Sequence, residues 1–190
     1  MSWSLYRDTV ARFGSCVDVF NGKECQDIIQ YAKSKTLEQG TVSGKKEHQN
    51  IRDSNILFLD SNEMRWVYER LNGPVLALNK RFFGFDLWGM TEGLQFTEYN
   101  APTGRYDAHN DRTVMGPIRK LSIVVQLTDG NDYDGGDLQL LNAGEKFPEN
   151  MDRKQGTIIA FPSFTMHRVT TVTRGTRHSL VGWVSGKPFK

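Results

Sequence analysis

After residue 85 the chain becomes a series of short runs rich in β-branched and aromatic residues: "EGLQFTEYN", "KLSIVVQLTD", "GDLQLLN", "GTIIAFPS", "HRVTTVT" and "RHSLVGWV". Clusters of turn-forming residues separate them: "APTG", "DGNDYDGG", "AGEKFPENMDRKQG" and "TRGT". Runs this short, each closed by Gly, Pro, Asn or Asp, read as strands that turn back on one another. Such strands bury their apolar sides by stacking or closing as sheets.

The first 85 residues have a different texture. "VDVFNGKECQDIIQYAKSK" opens as a strand-like run, turns at Asn21-Gly22 and becomes helical, with Cys25, Ile28, Ile29 and Ala32 on one stripe. "EQGTVSGKKEHQN" (38–50) is polar and glycine-containing and reads as a mobile loop. "IRDSNILFLD" reads as a strand. "NEMRWVYERLNGPVLALNKRFFG" carries Met64, Val67, Leu71, Val75 and Leu78 on a helical stripe, and Asn72-Gly73-Pro74 predicts a break into two helices. Helices followed by many short strands predict a mainly β (α+β) fold, a β-sandwich or jelly roll backed by N-terminal helices. Helical support is expected over about 1–85 and the strand core over about 86–190. No repeat or linker divides the chain, and 190 residues suit one domain.

Charge narrows the partners. There are 24 basic and 22 acidic residues, for a net charge of +2, which is too balanced to predict a nucleic-acid or acidic-membrane partner. No apolar run approaches the ~18 residues of a membrane span. The opening "MSWSLYRDTV" lacks the apolar core of a secretory signal. Cys16 and Cys25 have no metal-type spacing and read as reduced thiols, so a cytoplasmic setting is expected.

The chemistry gathers around four histidines. In "HNDRT", His109 and Asp111 are two positions apart, so on an extended backbone both project to one face. They offer one nitrogen and one oxygen ligand. A third must come from elsewhere: His48 in the polar loop, His178 beside an arginine, or His167 at the start of a β-type run. Two histidines and a carboxylate on one side of a metal, with the other side open, make the facial triad of non-haem Fe(II) oxygenases. The competing reading is a surface turn in which Asp111 caps or pairs with Arg112. Ten residues after His167, across "TRGT", comes Arg177. A returning strand would bring its guanidinium near the metal, where it could grip a carboxylate in two bonds.

From about residue 13 onward the sequence resembles the prolyl-hydroxylase-like 2-oxoglutarate/Fe(II) dioxygenases, particularly the short PKHD-type hydroxylases. The resemblance is carried by "YDAHND", "KLSIVVQLTDGNDYDGGDLQL" and "GTIIAFPSFTMHRVTTVTRGTR", and more weakly by "IRDSNILFLD" and "FDLWG". It implies a double-stranded β-helix with His109, Asp111 and His167 holding Fe(II), and Arg177 holding the distal carboxylate of 2-oxoglutarate. O2 is the other cosubstrate, and the activity implied is hydroxylation of an unactivated C–H bond, in a peptidyl proline above all. The resemblance also places Tyr99, Gln126 and Trp183 beside the cosubstrate, and Arg52 and Arg119 near the substrate. It makes the 38–50 segment a cover for a peptide. Tyr99 has an ordinary core reading too, Trp183 a packing role, and Arg52 and Arg119 that of solvated strand-end charges. Gly135-Gly136 read as turn glycines. Arg168, Arg174 and His178 have the opposite parity and are expected to point outward. Alternatives are a hydroxylase of a free amino acid or other small molecule, and a non-catalytic metal-binding jelly-roll module. Zinc hydrolysis would leave Arg177 without a role.

Overall fold

The computed structural model describes residues 10–41, 51–112, 116–142 and 147–188. In chain order its elements are β1 (Gly14–Cys16), α1 (Gly22–Lys33), β2 (Glu38–Gln39), β3 (Arg52–Asp53), β4 (Asn55–Phe58), α2 (Arg65–Leu78), β5 (Leu87–Met90), β6 (Gln95–Asn100), β7 (Arg105–His109) and β8 (Arg119–Gln126). There follow β9 (Asp134–Gly135), β10 (Leu138–Asn142), β11 (Phe147–Asn150), β12 (Ile158–Pro162), β13 (His167–Val169), β14 (Val172–Arg174) and β15 (Thr176–Gly186). A major antiparallel sheet runs β1-β12-β8-β15-β6-β4-β2, with β5 added on β15. A minor sheet runs β11-β10-β13-β7-β3, and β14 pairs with β9. The two sheets enclose an interior, the arrangement of a double-stranded β-helix, or jelly roll.

Both faces of the major sheet are covered. On one, Leu94, Phe96, Ile123, Val125 and Leu180 join the helix residues Ile28, Ala32, Val67 and Leu71 in one hydrocarbon core. On the other, Tyr99, Val124, Ile159 and Phe161 meet Leu138, Leu140 and Val169 of the minor sheet. The sequence explains the helices. Asn21 and Glu24 form a capping box that satisfies the first amides of α1. The stripe Cys25, Ile28, Ile29, Ala32 is buried as its spacing predicts.

Several elements differ from the sequence expectation. Pro74 lies inside α2 without breaking it. The ring leaves the Arg70 carbonyl without its usual donor, at a cost of about 3 kcal/mol. Burial of Val67, Leu71, Val75 and Leu78 along one continuous face outweighs that loss. Residues 17–20 are not a strand. Asp18 has a left-handed φ of 57°, and the amides of Val19 and Phe20 both donate to the Gly156 carbonyl, so the chain bends there. "IRDSNILFLD" is two strands rather than one: Arg52 registers with Tyr106 in the minor sheet and Asn55 with Glu98 in the major sheet. Ser54 is the corner. "HRVTTVT" divides likewise between β13 and β14. β9 and β11 arise within stretches that read as turns. Glu38–Gln39 is a strand on β4. The rest of the expected mobile loop, 42–50, lies outside the described residues, as does His48.

Gly135 and Gly136 both have positive φ, 68° and 63°, and a Cβ on Gly135 would collide with the Thr171 carbonyl. Their turn role is thus sterically enforced. Among the described residues no helix is long and apolar enough to cross a membrane.

Candidate active site

A cavity of about 600 Å³ opens between the two sheets. Its minor-sheet wall carries the donor cluster. β13 runs antiparallel to β7 with His167 directly opposite His109, which brings together two imidazoles 58 residues apart in sequence. β7 ends at His109, so Asp111 follows the strand rather than lying on it. Its amide donates to the Ser163 carbonyl (2.9 Å), which turns its side chain back toward both histidines. His109 Nε2 lies 3.8 Å from Asp111 Oδ1 and His167 Nε2 3.6 Å from Asp111 Oδ2. One ligand atom from each residue falls within 4.8 Å of the others.

The hydrogen bonds behind the cluster set its protonation. His109 Nδ1 is 2.7 Å from the Asp107 carbonyl, and His167 Nδ1 is 3.0 Å from the Thr165 carbonyl. Carbonyl oxygens only accept, so each Nδ1 carries a proton and Nε2 is the ring atom left to ligate. Burial and the neighbouring His167 push His109 down to about 4, which keeps it neutral. Burial alone would raise Asp111, but His167, His109 and the Ser122 hydroxyl hold its carboxyl below the usual range. Ser122 Oγ donates to Asp111 Oδ2 at 2.7 Å and lies 3.0 Å from Ser163 Oγ. Two imidazole Nε2 atoms and a carboxylate thus converge, an arrangement that a divalent cation completes.

The major-sheet wall carries Arg177, only 1% exposed. Nη2 donates to Gln126 Oε1 (2.8 Å) and Nη1 to Ser179 Oγ (3.4 Å), while Nε has no partner. No carboxylate among the described residues pairs with it. Gln126 is itself fixed by donating to the Asp152 carbonyl (2.9 Å). Tyr99, opposite Arg177 in register, lies under the guanidinium at 5.5 Å. Gly136 packs so close to the Arg177 stem that a Cβ there would sit 3.2 Å from Cδ. A buried, unpaired guanidinium costs several kcal/mol unless an anion joins it.

The chain matches the 2OG-Fe(II) oxygenase superfamily over residues 94–185. It is 35% identical over 155 residues to a PKHD-type hydroxylase of Prochlorococcus marinus (strain MIT 9312), a match covering 80% of this chain and 68% of the relative. The chain belongs to the 2OG-Fe(II) oxygenase superfamily. A PKHD-type hydroxylase of Synechococcus sp. (strain CC9311) is 43% identical over 82 residues, but that match covers 43% of this chain and 36% of the relative. The chain therefore spans little more than a third of the length of that relative. Among solved structures, a Pseudomonas putida prolyl-4-hydroxylase superposes with a TM-score of 0.72 at 20% identity, covering 94% of each chain. A Trichoplax adhaerens prolyl hydroxylase, solved with a hypoxia inducible factor peptide fragment, gives 0.77 at 16% identity, covering 92% of this chain and 84% of that one. These two likenesses establish the jelly-roll fold.

The cofactors of the 2OG-Fe(II) oxygenase superfamily are Fe(II), 2-oxoglutarate and O2, and the residues present fit them. The donor set suits a borderline divalent ion, and the orphaned Arg177 suits a carboxylate.

The remaining predicted residues fall as follows. Trp183 lines the cavity with its indole N–H toward the Asp111 carboxylate, whose charged form it favours. Arg119 lies over the Trp183 ring at 3.9 Å and is clamped by Glu92 through two bonds of 2.6 and 2.5 Å. Arg52 is buried in the cavity wall rather than solvated. Arg174 is exposed and paired with Asp134, and Arg168 donates to Gln139. His178 does face away from the cavity, but it is buried instead of outward. It stacks on Phe96 and lies 3.2 Å from Glu98, because helices cover that face of the sheet.

Sequence reasoning missed Glu92, Ser122, Ser163 and Tyr106. A signal existed for Ser122, the one small hydroxyl within the apolar run "LSIVV". None existed for Glu92, whose meaning depends on β8 passing beside it.

Proposed function

We propose that the protein is a 2-oxoglutarate- and Fe(II)-dependent hydroxylase whose prime substrate is a peptidyl proline. The observation that carries this reading is Arg177: a buried cation without a counter-ion, facing the His109–Asp111–His167 cluster across one cavity. Zinc hydrolysis or a passive metal site gives that arginine no partner. Bound together, iron, 2-oxoglutarate and O2 supply the oxidising power to hydroxylate an unactivated C–H bond, with succinate and carbon dioxide as the by-products.

In this reading the chain's own residues do four things. His109, Asp111 and His167 would hold the iron through Nε2, a carboxylate oxygen and Nε2. Their Nδ1–H bonds to backbone carbonyls, and the Ser122 bond to Asp111, fix each ligand's orientation. Arg177, held by Gln126, would grip the distal carboxylate of 2-oxoglutarate, with the Tyr99 hydroxyl as a further donor. Gln126 thus supports the arginine and need not touch the cosubstrate. The cavity walls, among them Val124, Leu138 and Trp183, keep the reacting atoms away from bulk water.

The peptide reading is supported by the Trichoplax prolyl hydroxylase structure, whose bound ligand is a peptide fragment. A cytoplasmic setting is supported by Cys16 and Cys25, both free. The test is anaerobic titration with Fe(II) and 2-oxoglutarate, watched for the weak visible band of a chelated keto acid. O2-dependent succinate release is then assayed with and without proline peptides. No band and no succinate would remove the oxygenase reading. Succinate release that no proline peptide stimulates would remove only the substrate.

A further inference from the structure

Arg52 is a second arginine in the cavity wall with no acidic partner among the described residues. It is 6% exposed. Its Nε donates to Ser54 Oγ at 2.7 Å, and a Cβ on Gly40 would lie 2.7 Å from that Nε, so residue 40 closes over the stem. The stem is therefore held, and among the described residues no hydrogen bond takes up either terminal nitrogen. The guanidinium lies over the Tyr106 ring at 4.6 Å, and Tyr106 stacks on the imidazole of His109 at 3.6 Å. Whatever Arg52 binds sits one aromatic ring from a proposed metal ligand.

The contrast with Arg119 is informative. Both line the same cavity, but Arg119 is neutralised by Glu92. In the loaded site the charges of 2-oxoglutarate and Asp111 balance those of Fe(II) and Arg177. Arg119 and Glu92 cancel, which leaves the charges on Arg112 and Arg52; Arg112 is exposed to solvent at the cavity mouth, and only Arg52 is buried. A fixed, desolvated guanidinium selects a planar anion that it can grip in two bonds.

We propose that Arg52 is a carboxylate-reading subsite for the prime substrate, so that the group hydroxylated lies next to a carboxylate. The source is either an acidic side chain flanking the target residue or the α-carboxylate of a small substrate. This rests on the hydroxylase reading above.

The test uses the full chain loaded with Fe(II) and 2-oxoglutarate without O2, and calorimetric binding of matched probes. One set is blocked hexapeptides carrying Asp or Asn on either side of proline. The other is N-acetylproline against its amide. In at least one pair the carboxylate form should bind at least about tenfold more tightly. The peptide pair identifies a side-chain source and the acetylproline pair an α-carboxylate. In Arg52→Gln that preference should fall below about threefold, while Arg52→Lys should keep part of it. No preference in either pair with the unaltered protein, which needs no variant to fold, overturns the proposal. So does a preference undiminished in Arg52→Gln. Replacing proline by alanine in the Asp peptide separates the two readings. Undiminished binding of the alanine peptide, with no proline hydroxylated once O2 is admitted, would sink the prolyl reading and leave the carboxylate subsite standing.

Discussion

The two faces of β15 share one backbone and follow opposite rules. Its even-numbered residues His178, Leu180 and Val184 turn toward the helices, and the two apolar ones, Leu180 and Val184, join the hydrocarbon core there. His178, the polar exception, pairs with Glu98 and Thr128. Its odd-numbered residues Arg177, Ser179, Val181 and Trp183 line the cavity, where Arg177 Nε is buried without a partner and no carboxylate among the described residues pairs with the guanidinium. One face is complete by itself and the other is complete only with something bound. A buried cation is nearly always paired in a finished fold, so Arg177, on the cavity face of β15, marks where the molecule expects an anion.

Breaking each face should therefore fail differently. The largest effect is expected at the donor cluster. Asp111→Ala should abolish metal retention and succinate formation together while the domain stays folded, because removing one of three ligands sharply weakens binding. Iron content and melting temperature check this, and full activity in that variant would overturn the assignment. Leu180→Ala on the opposite face should do the reverse, costing about 2–5 kcal/mol of stability with iron per folded molecule unchanged.

Arg177→Ala comes next. Loss of a buried charge-assisted pair costs on the order of 2–5 kcal/mol, so the apparent KM for 2-oxoglutarate should rise more than tenfold while iron still binds. An unchanged KM would show that the cosubstrate is held elsewhere. Arg174 is a poor substitute, being exposed and already paired.

The helix-side face also has a pH signature. Burial, and then Lys33, depress His178 to about 4, below its ordinary value of 6.5. Its folded pKa is lower than its unfolded one, so the unfolded chain binds the extra proton, and stability falls as pH drops from about 6.5 toward 4. The loss is on the order of 2–3 kcal/mol. Glu98 is depressed below the carboxylate range and adds its own loss only at lower pH. Denaturant titrations at stepped pH should show a shallower slope in His178→Gln. An identical slope would remove His178 as the cause.

The smallest effect is expected at the cavity rim. The Glu92–Arg119 pair is partly exposed, so Glu92→Gln should cost no more than about 1 kcal/mol of stability. It should leave iron content unchanged and raise the substrate KM as Arg119 loses its clamp.

The sequence by itself determined the class of fold, the two helical stripes, the turn glycines, and the pairing of His109 with Asp111 as candidate ligands beside the candidate anion-binding Arg177. These rest on local periodicity and on residue types whose chemistry is narrow: imidazole, carboxylate and guanidinium occur in few useful combinations. The tertiary structure decided whatever depends on which strand lies beside which. It set His167 opposite His109 by registering β13 against β7, and turned His178 to the other face of β15. It divided "IRDSNILFLD" between two sheets, carried α2 through Pro74, and made His178 a buried group. It also gave two similar arginines opposite states, Arg119 clamped by Glu92 and Arg52 without an acidic partner among the described residues. The residues responsible come from segments far apart in the chain, and charge pairing, burial and strand register are properties of that juxtaposition, which no local pattern encodes.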